Sequence, residues 1–315
     1  MKLAVLDAAT LGSDMDLSLF SEFGELVCYP KTSAEEMEEH IRDADVLILN
    51  KVRCNAETLA TGKNIKLICV AATGYDNIDI AYCRSRGIAV CNVVGYSTAS
   101  VAQITVSMAL SLWNHIAEYD AYTKSGAYSR GKDANRVTPV YHELAGKTWG
   151  ILGGGNIGKQ VAKVASALGC RVLVTRQKRD EEYPTVSFEA LCRESDILSL
   201  HVPLTDKTRH IVDAEHLAMM KKEAILINVA RGAVTDEEAV ASAVLEGKIA
   251  AFGCDVYDGE PMSENHPFQR LLSLPQVVLT PHMAWGAYEA RRRCLEEMKN
   301  NISAFLRGER RFRVD

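Results

Sequence analysis

Short apolar runs recur at residues 2–6, 45–49, 66–70 and 88–91, and the segments between them return apolar residues at helical spacing. That alternation is the β-α-β rhythm of a parallel sheet. A longer helical stretch, Ser100 to Lys124, carries Val101, Ile104, Met108, Leu112 and Ile116 on one side and leads through a polar loop into a second series. The second series predicts strands at 149–153, 171–175, 196–200, 224–229, 250–254 and 277–280. A final amphipathic helix, Ala287 to Leu306, is expected to return to the first lobe with Ala290, Cys294, Met298, Ile302 and Phe305 inward. Ser33 with Glu36, and Thr235 with Glu238, have capping-box spacing, and the acids from Glu35 to Glu39 read as a solvated helix face.

The run Gly153, Gly154, Gly155, Asn156, Ile157, Gly158 follows the apolar strand ending at Leu152 and opens a helix marked by Val161, Ala162, Val164, Ala165 and Leu168. A pyrophosphate needs close backbone approach, free N–H groups and the positive end of a helix dipole, and a G-x-G-x-x-G turn in this setting supplies them. The chain is therefore expected to bind a nicotinamide or flavin dinucleotide. At 315 residues it exceeds the usual single core, and 47% hydrophobic residues with a net charge of -5 leave no basic surplus for nucleic acid. No run reaches the ~20 apolar residues of a membrane span. The nine cysteines lack C-x-x-C spacing, which points to reduced thiols in a cytoplasmic protein and gives no metal site.

Three further clusters fall where a strand gives way to a loop, the place an open α/β sheet puts its ligand. They are Asn228 to Gly232, Asp255 to Pro261, and Thr280 Pro281 His282. With the glycine turn and the segment Ala72 to Asp79, their order and spacing resemble the D-isomer-specific 2-hydroxyacid dehydrogenases along nearly the whole chain. The resemblance implies two doubly wound parallel-sheet α/β domains: a Rossmann dinucleotide-binding domain at 99–284 inserted into a discontinuous flavodoxin-like substrate domain at 1–98 and 285–315. It also implies a homodimer formed through the connector helix.

A 2-oxo acid offers a carboxylate and a ketone oxygen, and only arginine presents a planar, permanently charged fork to them, at about 1.5 to 3 kcal/mol per charge-assisted bond. Arg231 is assigned that role. The developing alkoxide needs a proton from a group titrating near neutrality, which suits His282, and Glu260 stands where the family places the carboxylate that fixes the ring. Each of the three alone would pass for an ordinary surface residue; together, in this order, they make a catalytic set. The resemblance further implies that N–H groups around Thr73 and Gly74 hold the substrate carboxylate, that Asp255 orients the nicotinamide carboxamide, and that Val202, Pro203, Thr208 and Ala230 line the cofactor. Tyr75, Tyr96 and Trp285 are candidates for shaping the substrate pocket, and Lys51 is either near the cleft or a solvated lysine.

Gly153, Gly155, Asn156 and Ile157 are the expected pyrophosphate contacts, and Thr175 and Arg176 the expected ribose contacts. Where an NAD-selective fold has an acid about 20 residues past the turn, this chain has Arg176, followed by Lys178 and Arg179. NADP(H) is therefore expected in preference to NAD(H), with an exposed basic loop balanced by Asp180, Glu181 and Glu182 as the alternative. The expected activity is reduction of a small 2-oxo acid, glyoxylate or hydroxypyruvate first, to its D-2-hydroxy acid. The rival readings are a dinucleotide-sensing binding protein of corepressor type on the same fold, and a 3-phosphoglycerate dehydrogenase.

Overall fold

Val46–Leu49 and Leu67–Val70 are apolar and buried at every position, as suits strands covered on both faces. In the computed structural model, which describes residues 1–176 and 182–315, they lie at the middle of a parallel sheet. Its strands are β1 (Lys2–Val5), β2 (Glu25–Cys28), β3 (Val46–Leu49), β4 (Leu67–Val70) and β5 (Ala89–Cys91), in the order β2-β1-β3-β4-β5. Helices α1 (Met37–Ile41) and α2 (Ile80–Ser85) connect them. The sequence does not mark β2, because it pairs with β1 alone and its four residues include no buried one. Leu6, Ile41, Leu47, Leu59, Ile68 and Val90 fill the core beside this sheet. Ser33 and Glu36 cap reciprocally, Ser33 N–H donating to Glu36 Oε2 at 2.8 Å and Glu36 N–H to Ser33 Oγ at 3.3 Å.

The chain divides into two units, Met1–Ser97 with Gly286–Asp315, and Thr98–Trp285. The second begins with α3 (Thr98–Trp113), α4 (Ile116–Lys124) and α5 (Ala127–Arg130). The single helix expected from Ser100 to Lys124 is thus two. His115 adopts the left-handed conformation, φ 51°, which interrupts the i→i−4 ladder. Val101, Met108 and Leu112 are buried as the periodicity requires, but Ile116 lies beyond the break and is 55% exposed.

Then follow β6 (Thr148–Leu152), α6 (Asn156–Ala167), β7 (Arg171–Thr175), α7 (Phe188–Glu194), β8 (Ile197–Leu200), α8 (Ala214–Met219), β9 (Ile225–Asn228), α9 (Glu237–Leu245), β10 (Ala251–Cys254) and β11 (Val277–Leu279). The strand order is β11-β10-β9-β8-β6-β7, every pairing parallel. All carboxyl ends therefore share one edge, and the order reverses at β6, where β7 lies on one side and β8 on the other. A crevice for ligand belongs at such a switch point.

Met108, Ala109 and Leu112 of α3 and Val161, Ala162 and Ala165 of α6 cover one face together with Trp149, while Leu191, Leu217, Val240, Val244, Phe252 and Phe268 cover the other. Helix α9 corrects the expected cap: Asp236, not Thr235, is its N-cap and accepts from Ala239 N–H at 3.0 Å. Thr235 instead donates to Gly232 O, and Glu238 turns outward to Arg270 at 2.7 Å. The last helix, α10 (Tyr288–Leu306), belongs to the first unit, with Ala290, Cys294, Met298 and Ile302 buried; Phe305, expected inward, is half-buried. Among the described residues no helix is long and apolar enough to cross a membrane.

Candidate active site

The glycine turn divides its work by position. Gly153 has φ +104°, and a Cβ there would lie 2.6 Å from His201 O, so the turn is both left-handed and pressed onto the end of β8. At Gly158 a Cβ would lie 2.1 Å from Gly153 O, which keeps α6 close to β6. Around Gly155 a Cβ would meet nothing within 4 Å, and no side chain caps the first turn of α6, with its exposed Asn156 and half-buried Ile157. Tight turn, open middle glycine and close-packed third glycine are what a pyrophosphate cradle at a helix N-terminus requires, so these residues fit a dinucleotide.

Arg176 follows β7 and lies across the same turn: a Cβ on Gly154 would meet Arg176 Cδ at 2.9 Å. Thr175 beside it donates its hydroxyl to Val186 O at 2.9 Å. Lys178, Arg179, Asp180 and Glu181 lie outside the described residues. Val202 and Pro203 leave the end of β8, and the Thr208 hydroxyl closes their loop by donating to Pro203 O at 2.6 Å.

Arg231 is set by its neighbours. Asn228, wholly buried at the end of β9, accepts from Ala230 N–H at 3.0 Å and donates to Arg231 O at 2.9 Å, clamping both ends of the turn. The half-buried Arg231 donates to Ala230 O at 2.8 Å. A Cβ on Gly232 would lie 2.0 Å from Tyr257 C and 2.1 Å from Asp258 N, so the Arg231 turn rests directly on the backbone that leads to Glu260.

His282 and Glu260 meet as a pair. Nδ1 lies 2.8 Å from Oε1 and 2.6 Å from Oε2, with side chains 23% and 28% exposed. An ionised carboxylate only accepts, so Nδ1 carries the proton in this contact. The loop holding the imidazole is fixed from within: Asp255 Oδ1 accepts from the Thr280 hydroxyl at 2.6 Å and from Met283 N–H at 2.8 Å, while Oδ2 accepts from Ala284 N–H at 2.9 Å. Burial, at 1% exposure, raises the Asp255 carboxyl above its ordinary range against the pull of those bonds. Three of about four carboxylate lone-pair positions are taken, which leaves one for the carboxamide expected of it. Tyr257 donates its hydroxyl to Thr280 O at 2.9 Å and its N–H to Glu260 Oε1 at 3.3 Å.

His201 stays neutral. Its Nδ1 is shut off from solvent, its Nε2 lies 3.0 Å from Ser199 Oγ, and burial pushes it down to about 3. In the first unit Thr73 donates to Val93 O at 2.8 Å and Gly74 precedes the exposed Tyr75, whose carbonyl accepts from Ile78 N–H at 3.0 Å; Tyr96 is buried. Lys51 N–H is held by Asp7 at 2.6 Å. Among the described residues no group of three His, Cys, Asp or Glu is placed to hold a metal ion.

The supporting roles of two residues escape sequence reasoning. Asn228 gave a signal, an amide ending the otherwise apolar run Ile225-Leu226-Ile227; Glu237 gave none, since an acid in a first helical turn reads as a solvated dipole partner. It is instead 8% exposed and accepts from Asp258 N–H at 2.9 Å.

The family model for the NAD-binding domain of D-isomer specific 2-hydroxyacid dehydrogenases matches residues 106–284. The chain is 34% identical over 317 residues to a hydroxypyruvate reductase of Blautia hydrogenotrophica, covering 98% of each. It is 38% identical over 285 residues to a glyoxylate reductase of Thermofilum pendens, covering 88% of this chain and 83% of that one. The fold superposes on a D-lactate dehydrogenase from Aquifex aeolicus complexed with NAD and lactic acid, with a TM-score of 0.86 at 28% identity, covering 98% and 96%.

Proposed function

Since the chain belongs to the D-isomer specific 2-hydroxyacid dehydrogenases, we propose that it reduces a small 2-oxo acid of the glyoxylate or hydroxypyruvate type, using NADPH in preference to NADH. The observation that carries this reading is the Glu260–His282 pair at 2.6 Å, on the sheet edge that also bears the glycine turn and Arg231.

A bound reduced nicotinamide supplies the hydride. Gly153, Gly155, Asn156 and Ile157 are the proposed pyrophosphate contacts, with Val202, Pro203, Thr208, Ala230 and Asp255 along the rest of the cofactor. Arg231 binds the substrate carboxylate and polarises the ketone, and the Thr73–Gly74 segment gives backbone N–H groups to the same acid. His282 Nε2–H donates to the developing alkoxide while Glu260 stabilises the imidazolium from Nδ1. In the oxidation direction the same nitrogen takes the hydroxyl proton.

Arg176 supports the NADPH preference, because its guanidinium fork across Gly154 suits a 2′-phosphate where an acid would repel one. Val137, Val140 and Tyr141, together with Ile116, are 55–73% exposed and support a homodimer formed through the connector region. Free cysteines throughout suit a cytoplasmic setting.

The test is loss of reduced-cofactor absorbance with a panel of glyoxylate, hydroxypyruvate, pyruvate and bulkier 2-oxo acids, run with NADPH and with NADH. Turnover of the two small polar acids at higher kcat/KM with NADPH is expected. Equal efficiency with both cofactors would overturn the preference, and no turnover with any acid would favour a dinucleotide-sensing binding protein.

A further inference from the structure

The peptide joining Tyr257 to Asp258 is gripped from two sides. Gly232 packs against it so closely that a Cβ would overlap Tyr257 C and Asp258 N, and Glu237 Oε1 accepts its N–H at 2.9 Å. The other carboxylate oxygen of Glu237 lies 2.7 Å from His266 Nε2, although that N–H is not aimed along the contact. His266 is itself buried, accepts from Phe268 N–H at Nδ1 (3.2 Å), and meets the Tyr257 ring edge-on at 5.8 Å. One residue before that peptide's N–H, Tyr257 N–H reaches Glu260 Oε1, and two residues beyond it stands Glu260 itself.

A buried carboxylate is costly unless both oxygens are engaged. Here its like-charged neighbours Asp236, Asp258 and Glu260 add to the cost. What the acid does in return is hold a main-chain N–H 21 residues away, next to both halves of the candidate site. We infer that Glu237 is a positioning residue for proton transfer: it sets the Tyr257–Asp258 peptide so that Glu260 meets His282 while Gly232 and Arg231 stay in register with them. The inference rests on the reading of Glu260 and His282 as the acid–base pair.

The experiment compares Glu237→Gln, Glu237→Asp and Glu237→Ala, with Glu260→Gln in parallel, measuring kcat and KM for the 2-oxo acid and cofactor Kd by protein fluorescence. Asp keeps the charge but is one methylene too short for the Asp258 N–H; Gln gives up the charge but keeps an oxygen in reach. Gln should keep at least about a third of kcat, while Asp and Ala lose on the order of tenfold or more with cofactor Kd within about twofold of wild type. Should Ala fail to fold, the contrast between Asp and Gln decides alone. Wild-type kcat in Glu237→Asp, or a fall in Glu237→Gln as deep as in Asp, overturns the inference. Normal turnover by Glu260→Gln would bring down the acid–base reading together with it, whereas a crippled Glu260→Gln beside an intact Glu237→Asp overturns the positioning role only.

Discussion

Replacing Gly232 with alanine adds one methyl group at the point where the arginine turn and the glutamate loop touch. Its Cβ would stand 2.0 Å from Tyr257 C, 2.1 Å from Asp258 N and 2.5 Å from Tyr257 O. Ordinary carbon contacts begin near ~3.5 Å, so the two backbones must separate by about 1.5 Å. Both are main chain, and neither can swing aside as a flexible side chain would. Arg231 is bonded to that turn and Glu260 lies two residues past Asp258, so the displacement passes to the groups assigned to substrate binding and proton transfer. A misplacement of about 1 Å costs on the order of 10²-fold in rate. Gly232→Ala should therefore lower kcat/KM for the 2-oxo acid by about 10²-fold, with a smaller effect on cofactor Kd, because the glycine turn at 153–158 is untouched and only Ala230 on the displaced turn is a proposed cofactor contact. Steady-state kinetics with a fluorescence titration of cofactor reads both quantities. An alanine variant turning over within a few-fold of wild type would refute the claim that this contact sets the site.

Asn228→Ala removes a buried acceptor for Ala230 N–H and a part-buried donor to Arg231 O; a loss of about 1 to 3 kcal/mol of stability in denaturant titration, with a raised KM for the oxo acid, is expected. Arg176→Ala should lower kcat/KM with NADPH by roughly 10- to 100-fold and leave NADH nearly unchanged, since one charge-assisted contact is lost; equal losses with both cofactors would speak against a 2′-phosphate contact. Burial pushes Glu237 up to about 7, so its ionisation in the folded state is disfavoured and the associated loss of stability sets in as pH rises above the ordinary carboxylate range and is complete above about 7. Glu237→Gln, which cannot ionise, should therefore gain in Tm relative to wild type between pH 5 and pH 8 by thermal melts, and a constant difference across that range would contradict the assignment.

The strands that are apolar throughout were legible because parallel strands buried on both faces leave no polar alternation to confuse them, as at Val46–Leu49 and Ile225–Leu226–Ile227. Strand β2 was not, because an edge strand with exposed Glu25 and Cys28 looks like a loop. The connector's periodicity ran on through Asn114 and His115, and only the left-handed backbone at His115 shows that the helix stops. The meeting of Glu260 with His282 could be anticipated because proton transfer near neutrality calls for a histidine and the family resemblance places its carboxylate partner at Glu260. The supports could not. Gly232 against the Tyr257–Asp258 peptide and Glu237 on the Asp258 N–H are contacts between segments more than 20 residues apart, and neither residue type announces its partner.

The proposed chemistry depends most directly on His282 as the proton donor. Turnover of a 2-oxo acid with NADPH should fall by about 10² to 10⁴-fold in His282→Asn while cofactor binding stays intact. An asparagine variant that binds cofactor and turns over at the wild-type rate would contradict it.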